Sequence, residues 1–305
     1  MIRRTILTAA LFIAAIPAGA IAQPADELFG PIGDDEVRFA AVGDTGTGGS
    51  DQMKVAERLE AVRNSTGFTT LLFLGDNIYP SGSPSDIEDK FLKPYSDLFL
   101  AGVTLRGVIG NHDARSRHGV LLQQMIFGMG RDTFYSFTEG DGTVAFFALD
   151  SPLLVSGKSP DSASRQVEWL KKELDGSGAR WKIVLLHHPI YSSAEKHGTG
   201  SDDEHEMDGL RELLEPLFTE HGVDVVLSGH DHVYERIIPQ KGVHYFVTGA
   251  GAKLRKGDLD PASPLTAAGN DRVRSFVVFA ATYSELRFRA VAVNGEILDS
   301  GSIPN

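Results

Sequence analysis

Five apolar runs, each followed at once by a short polar block, constrain the fold of this chain more than any other feature. The runs are rich in β-branched and aromatic residues and cover 37–42, 71–74, 103–109, 183–186 and 223–227. Continuous runs of this kind are typical of strands that are buried on both faces of a sheet. Ligand sites in α/β sheets lie beyond the carboxyl ends of the strands, so we expect the five blocks to meet at one edge.

The polar blocks contain the residue types that bind metal ions. They read Gly43-Asp44-Thr45-Gly46, Gly75-Asp76-Asn77-Ile78-Tyr79, Gly110-Asn111-His112-Asp113, His187-His188-Pro189 and Gly229-His230-Asp231-His232. Carboxylate, phenol and amide oxygens are hard donors, and imidazole nitrogen suits several transition metals. The number of such donors predicts a site for two metal ions.

The segments between the runs predict helices. Apolar residues recur at helical spacing in 51–64, 85–100, 164–174 and 206–221. Because strands and helices alternate through residue 150, the first half of the chain is expected to form parallel βαβ units.

The last part of the chain has a different pattern. Its strand-like runs cover 243–248, 275–281 and 285–292, and an Asn-Gly pair at 294–295 predicts a hairpin turn. Residues 253–270 are rich in Gly, Pro, Asp and Ala and are predicted to be a mobile surface loop. The expected fold is α/β, with two mixed β-sheets packed as a sandwich flanked by helices in a single domain over 37–305.

The first 22 residues have the pattern of a signal peptide. Arg3 and Arg4 form a basic start, residues 5–16 are apolar, and Ala20-Ile21-Ala22 is a small-x-small cleavage site. An uncleaved membrane anchor is the alternative, although the apolar stretch is short for a membrane span. We expect cleavage near Ala22, a linker over 23–36, and a periplasmic or secreted bacterial protein without a stable membrane anchor. The arginine pair leaves both Sec and twin-arginine export open.

Composition excludes several classes of function. The chain has 29 basic and 41 acidic residues and a formal net charge of −12, so nucleic-acid binding through a basic surface is not expected. An acidic protein that handles phosphate needs a local source of positive charge, which two metal ions supply. The chain has neither cysteine nor a Gly-x-Ser-x-Gly elbow, which excludes a thiol nucleophile and a serine-esterase elbow. Its glycine-rich segment at 43–49 lacks the Lys-Ser/Thr of a P-loop.

In this order, the five blocks resemble the signature of the calcineurin-like metallophosphoesterases. Because the second block contains a tyrosine, the chain resembles the purple acid phosphatase branch of this family. Within the branch it is similar to the small single-domain form, the tartrate-resistant acid phosphatases. The match spans about residues 37–255, although the disulfide of the animal enzymes cannot form without cysteine. The resemblance implies a hydrolase, an acid phosphatase that cleaves phosphate monoesters of small molecules by attack of a metal-bound hydroxide. A phosphodiesterase or pyrophosphatase at the same site is the alternative.

The resemblance also implies the ligands of each metal ion. An Fe(III) ion is expected at Asp44, Asp76, Tyr79 and His232, and a divalent ion (Fe, Zn or Mn) at Asp76, Asn111, His187 and His230. Asp76 is thus implied as the bridge between the two ions. A phenolate ligand stabilises Fe(III), and its charge-transfer band is the source of a purple colour.

Three further residues are implied to be catalytic. His112 is expected to bind phosphate and assist the leaving group, Asp113 to orient and charge His112, and His197 to be a second histidine that faces the substrate. Side chains alternate along a strand, so His188, next to the ligand His187, is expected not to reach the metals. For Arg115 and Arg117, contact with the substrate phosphate and a solvated loop position both stay open.

Two other classes of function also stay open. An Fe(III)–Fe(II) pair permits redox chemistry that generates reactive oxygen. A secreted binding protein that kept the fold and lost catalysis is the third class, against which the complete set of seven ligands and His112 argues. Substrate choice is expected to depend on the rim loops at 80–86, 114–133 and 192–206.

Overall fold

The computed structural model describes residues 28–196 and 204–305 of the chain. The predicted signal peptide, the first part of the predicted linker and His197 lie outside the described residues, so the predictions made for them stay predictions.

The described residues form thirteen β-strands and six α-helices. The strands are β1 Val37–Val42, β2 Thr70–Phe73, β3 Thr104–Gly107, β4 Tyr135–Glu139, β5 Val144–Ala148, β6 Trp181–Leu185, β7 Val225–Ser228, β8 Tyr234–Ile237, β9 His244–Thr248, β10 Thr266–Asn270, β11 Ser275–Ala281, β12 Glu285–Ala292 and β13 Ile297–Pro304. The helices are α1 Ser50–Thr66, α2 Ser96–Leu100, α3 Arg117–Phe127, α4 Ser151–Val155, α5 Pro160–Gly176 and α6 Glu204–Glu220.

The strands form two mixed sheets, as the sequence predicts. One sheet has six strands in the order β13-β12-β11-β1-β2-β3, and the other has seven in the order β10-β8-β9-β7-β6-β5-β4. Strands β1, β2 and β3 pair in parallel, and so do β5, β6, β7 and β9. The parallel pairs in each sheet carry the carboxyl ends of their strands to one edge, which is where the polar blocks follow.

The sheets pack face to face, and helices cover their outer faces. In β1, Phe39 and Ala41 point between the sheets, whereas Ala40 and Val42 point to the side of α1, as the two-residue period of a strand requires. The Phe39 ring stacks on Phe279 at a centroid distance of 4.9 Å and meets the edge of Phe146 from the other sheet at 5.0 Å. The outer face of the seven-stranded sheet packs against α5 and α6.

The helix predicted over 85–100 is broken in the structure. A 3₁₀ turn, Pro84–Asp86, leads into a wide turn, Glu88–Leu92, in which the amide of Lys93 bonds the carbonyl of Glu88, and only α2 is regular. Pro94 explains the break, because proline has no amide donor and restricts the residue before it.

Two segments that we expected to be irregular are ordered by contacts distant in sequence. Part of the predicted loop at 253–270 is strand β10, which pairs antiparallel with β8 at the edge of its sheet. In the predicted linker, Leu28 and Phe29 are buried in the core, and Arg38 donates to the carbonyl of Gly30 at 2.9 Å. Short-range patterns in the sequence do not contain these pairings.

We predict that the contact between the sheets around Phe39 supplies a large part of the stability. Phe39→Ala removes a fully buried ring that touches both sheets, and we expect the free energy of unfolding to fall by about 3–5 kcal/mol. The measurement is chemical denaturation at equilibrium. Phe99→Ala is the matched control, because the Phe99 side chain is 69% exposed. Equal losses in both variants would contradict this account of the core.

Candidate metal centre

The five polar blocks meet where the edges of the two sheets come together. The blocks that begin at Gly43, Gly75 and Gly110 follow strands of the six-stranded sheet, and those that begin at His187 and Gly229 follow strands of the seven-stranded sheet. Backbone hydrogen bonds join them. Gly43 donates to the carbonyl of Thr248 across the sheets at 2.8 Å, and Asp44 donates to the carbonyl of Gly75 at 3.0 Å.

A first group of donor atoms forms around Tyr79. Its hydroxyl donates to Oδ1 of Asp44 at 2.9 Å and lies 3.4 Å from Nε2 of His232. Nε2 of His232 lies 3.4 Å from the same Asp44 oxygen. The structure thus brings together three of the four side chains that the sequence predicts for the first ion.

A second group forms around His187. Its Nε2 lies 3.2 Å from Oδ1 of Asn111, 3.3 Å from Nδ1 of His230 and 3.6 Å from Oδ1 of Asp76. Donor atoms of Asp44, Asp76 and His187 all lie within 4.8 Å of one another. Asp76 therefore lies close to donor atoms of both groups.

The backbone at three of these residues is in the left-handed region. Asp44, Asp76 and His230 have φ values of 58°, 53° and 69°. Glycine adopts this region freely, whereas other residues, among which Asn, Asp and His are enriched there, do so at a cost of about 1–2 kcal/mol each. Such conformations cluster at functional sites, and here they turn the side chains back toward one point.

Glycine allows two of the blocks to approach each other closely. A Cβ atom at Gly110 would lie 2.1 Å from the amide nitrogen of Asp76 and 2.2 Å from its Oδ1. No side chain fits there, so the block that carries Asn111 reaches the block that carries Asp76 only because residue 110 is glycine.

Hydrogen bonds to the backbone fix the orientation of the donors. Nδ1 of His187 lies 2.8 Å from the carbonyl of Leu74, which can only accept, so Nδ1 carries a proton and Nε2 is the nitrogen left for a metal ion. The amide of His230 donates to Oδ2 of Asp44 at 2.8 Å, and the amide of His112 donates to Oδ1 of Asp76 at 2.9 Å.

Burial and mutual charge shift the pKa values of these groups. Burial, together with the charges of Asp44 and Asp76, raises the pKa of Tyr79 far above its ordinary value. Burial raises the pKa of Asp44, but hydrogen bonding to His232 and the charges of His187 and His232 outweigh this and lower it overall. For His187, burial lowers the pKa, and the charges of Asp76 and Asp44 reverse the shift and raise it. A cation bound beside Tyr79 would be the largest local charge, and it would lower the pKa of Tyr79 rather than raise it.

The donor set fits two metal ions. Since Nδ1 of His187 donates to the backbone, its Nε2 is the nitrogen that faces the oxygens of Asn111 and Asp76. A metal ion there would take the place of the second proton that the raised pKa of His187 favours. Acceptors that face one another in a buried place are stabilised by a cation between them. Hard oxygens and imidazoles are donors that Fe, Zn and Mn accept, so the residues fit ions of this kind, and the identity of the two ions stays a prediction.

His112 lies beside the donor atoms. Its ring packs edge-on against Tyr79 at 4.6 Å, and its Nε2 is 3.9 Å from Oδ2 of Asp76. Nδ1 lies 2.8 Å from the carbonyl of Pro80, and Nη2 of Arg115 lies 3.2 Å from Nε2. Because a guanidinium only donates, His112 accepts at Nε2 and donates from Nδ1. A contact between Arg115 and His112 was not predicted.

Asp113 does not orient His112, contrary to our expectation. Its buried carboxylate accepts hydrogen bonds from the amides of Asn77, Ile78 and Gly110 and from the side chains of Asn77 and Gln123. The chain enters a 3₁₀ turn at Asp113, which sends this side chain inward while His112 points out. Burial and the charge of Asp76 raise the pKa of Asp113 to about 7. Asp113 holds the second and third blocks together.

His188 is also placed differently from our expectation. Its ring centroid lies 4.6 Å from that of His230 and 5.0 Å from that of His187, and ring nitrogens of all three lie within 4.8 Å of one another. Nδ1 of His188 lies 2.9 Å from the hydroxyl of Ser151. The alternation argument fails here because β6 ends at Leu185, and a loop does not keep the period of a strand.

Lys253 was missed altogether. Its Nζ lies over the Tyr79 ring, 4.6 Å from the centroid, and its amide donates to the carbonyl of Asp44. It lies in a segment that we predicted to be a surface loop. Nothing in the local sequence marks it, because the contact is made by a return of the chain after β9.

Comparison of the sequence with those of known proteins shows the family to which the chain belongs. The family model of the calcineurin-like phosphoesterases matches residues 37–234. The chain belongs to this family. Human tartrate-resistant acid phosphatase type 5 is 30% identical to this phosphoesterase over 249 residues, which cover 70% of its chain and 73% of the human protein. Purple acid phosphatase 17 of Arabidopsis thaliana is 26% identical over 253 residues, or 75% and 72% of the two chains.

Solved structures confirm the fold of this phosphoesterase. The purple acid phosphatase PPD1 of yellow lupin superposes with a TM-score of 0.74 at 20% identity, over 88% of this chain and 54% of the lupin chain. GAP50, described as the anchor in the inner membrane complex of Plasmodium, superposes equally well at 0.74 and 20% identity, over 89% of both chains. The fold is therefore shared by proteins with different descriptions.

The comparisons confirm the predicted family and its purple acid phosphatase branch. The named relatives are acid phosphatases, which confirms the predicted enzyme class of hydrolases acting on phosphoric esters. Within the described part of the chain, the phosphoesterase has no helix that combines the length and apolar character needed to span a bilayer.

We predict that Asp113 supports the metal centre by satisfying backbone amides. Asp113→Ala leaves the buried amides of Asn77, Ile78 and Gly110 without this acceptor. Each such loss costs about 1–3 kcal/mol, so we expect the free energy of unfolding to fall by about 3 kcal/mol or more. Metal bound per chain should fall as well.

The checks are chemical denaturation and metal analysis of the same samples. Asp35→Ala removes an exposed carboxylate and is the control. If Asp113→Ala were as stable and as metal-rich as this control, the proposed support of the two blocks would be wrong.

Proposed function

We propose that this phosphoesterase is a secreted binuclear acid phosphatase that hydrolyses phosphate monoesters of small molecules. The observation that carries the proposal is the position of Tyr79, whose buried hydroxyl lies against Asp44 and His232. A phenol among these donors suits Fe(III), which distinguishes this branch from phosphoesterases that hold two divalent ions. Secretion is supported by the signal-peptide pattern of residues 1–22.

Each ion is assigned to one group of donors. Asp44, Tyr79 and His232 would hold Fe(III), and Asn111, His187 and His230 would hold a divalent ion, with Asp76 shared between them. When bound, the ions activate water as the nucleophile and neutralise charge on the phosphoryl group. Since Asn111 is a neutral ligand, the second group leaves more positive charge for binding the substrate phosphate.

His112 is placed to act on the leaving group. It is the histidine at the solvent side of the donors, with a side chain that is 25% exposed and an Nε2 that faces Asp76. Nε2 carries a lone pair while it accepts from Arg115, so His112 acts as an acid only after Nε2 has released Arg115 and taken a proton from water. That proton then passes from Nε2 to the departing oxygen of the substrate. The Pro80 carbonyl holds Nδ1 during this exchange, so the ring keeps its orientation. Arg115 is a positioning residue in this scheme.

The role of His197 as a second histidine facing the substrate stays part of the proposal. A binding protein without catalysis is the competing hypothesis, because GAP50, which is described as an anchor, has the same fold. The complete and converging set of donors favours an enzyme in this chain.

The first test is the visible spectrum of the purified mature protein, with metal analysis of the same sample. We expect a broad purple band and two metals per chain, at least one of them iron. Tyr79→Phe should lose the band, because the phenolate is its source. A colourless protein with two Zn or Mn ions would leave a metallophosphoesterase and contradict the ferric assignment.

The second prediction concerns His112. His112→Ala should bind both metals and lose about 10²–10⁴-fold in kcat, the range for loss of a general acid. Asp76→Ala should lose both metals, since its carboxylate lies between the two groups. Activity is measured with para-nitrophenyl phosphate, a monoester, and bis-para-nitrophenyl phosphate, a diester. Faster turnover of the bis ester would favour a phosphodiesterase, and full activity of His112→Ala would remove this residue from the mechanism.

A further inference from the structure

A groove of about 910 Å³ extends from the metal centre toward solvent. Asn111, His188 and His230 line its inner end, and α3 together with the segments on either side of it forms one wall. The segment from α4 into α5 forms the other wall. Binding sites for one small molecule have volumes of about 300–1,000 Å³, so the groove accommodates a single ligand of that size.

The groove is basic, although the chain as a whole is acidic. Its lining contains five cationic side chains, Arg115, Arg117, Arg131, Lys158 and Arg165. The formal net charge of the chain is −12. This local excess of positive charge lies beside a site that attracts phosphate, and together they favour a ligand with more than one anionic group.

In the described part of the chain, one of the five cations of the groove, Arg165, pairs with a carboxylate of its lining. Three carboxylates line it, those of Asp132, Asp150 and Glu206. Asp150 accepts hydrogen bonds from Thr133 and from the amide of Leu153, and it caps α4. Asp132 lies 3.9 Å from Arg165, and both side chains are at least half exposed. Among the described residues, Arg117, Arg131 and Lys158 form no ion pair with a carboxylate.

Apolar side chains line the groove together with the cations. They include Val120, Leu121, Phe134, Leu153 and Val155. Leu121 is 49% exposed, whereas Phe134 is buried. A carbon skeleton that crosses the groove would cover these side chains, and charged groups at its far end would meet the arginines.

We propose that this groove binds the leaving group of the substrate, and that it selects small phosphate esters whose alcohol part carries a second phosphate on an apolar spacer. This inference rests on the proposed function, since the first phosphate is assigned to the metal centre. Arg115 stands between the metal centre and the groove, next to His112. Arg117, Arg131 and Arg165, which are exposed and line the groove, recognise the second phosphate.

The test compares two substrates with the same ester chemistry, hexyl phosphate and hexane-1,6-diyl bisphosphate. After correction for its two equivalent phosphates, we expect the bisphosphate to have a kcat/KM about tenfold higher, from several exposed charge pairs. This preference should decrease as ionic strength rises, because exposed charges are screened.

The variant combines Arg117→Gln, Arg131→Gln and Arg165→Gln. We expect it to lose most of the preference for the bisphosphate. The matched control combines Lys54→Gln, Lys171→Gln and Arg272→Gln, which removes the same charge from exposed positions outside the groove. It should keep the preference. Circular dichroism establishes that both variants are folded.

Two results would overturn the proposal. One is equal kcat/KM per phosphate for the two substrates in the natural chain. The other is the same loss of preference in the groove variant and in the control, which would indicate an effect of net charge alone.

Failure of the proposed function gives a different result. If neither compound is hydrolysed, calorimetric binding of the same two compounds to the metal-loaded protein decides the matter. Tighter binding of the bisphosphate that is lost only in the groove variant supports the groove as a second-phosphate site. Equal affinities for both compounds, or equal losses in variant and control, overturn it.

Discussion

The hydrogen bond from Gly43 to the carbonyl of Thr248 joins the two sheets at the edge where their parallel strands end. Without this registration, the five polar blocks would belong to two separate edges. With it, donors from the six-stranded sheet and imidazoles from the seven-stranded sheet come within hydrogen-bonding distance. The core around Phe39 serves the same end, because it fixes the distance between the sheets. Catalysis in this molecule depends first on how the sheets are aligned.

The alignment concentrates groups that repel one another. Carboxylates of Asp44 and Asp76 lie close to acceptor nitrogens and a phenol, in a place from which water is largely excluded. Part of the cost is met by amide donors, such as those of His112 and His230. The remainder calls for positive charge from outside the chain. Bound metal ions would therefore have two effects. They would supply the reactive groups of the site, and they would stabilise buried donor atoms that otherwise repel one another.

Much of this arrangement could be predicted from the sequence, because periodicity and the composition of loops are local properties. Strand β1 has the predicted bounds, and the donors lie beyond the carboxyl ends of the parallel strands, as predicted. The errors have physical causes. We expected Asp113 to orient the neighbouring His112, but a 3₁₀ turn begins at Asp113 and points the two side chains in different directions. For His188 we applied the alternation of a strand, but β6 has already ended at Leu185. Lys253 contacts Tyr79 through the tertiary fold, which local sequence does not show. Strand β10 exists because β8 offers an edge.

The left-handed backbone at Asp44 and Asp76 has a consequence for how such a protein can change. Asparagine adopts that conformation about as readily as aspartate, and it keeps a side-chain oxygen for the amides of His230 and His112. This replacement therefore preserves the loops while it removes a negative charge from the donor set. The architecture thus tolerates the loss of its own chemistry at single positions. A lineage with this fold can leave catalysis without passing through an unfolded ancestor, and the scaffold is then available for recognition or attachment.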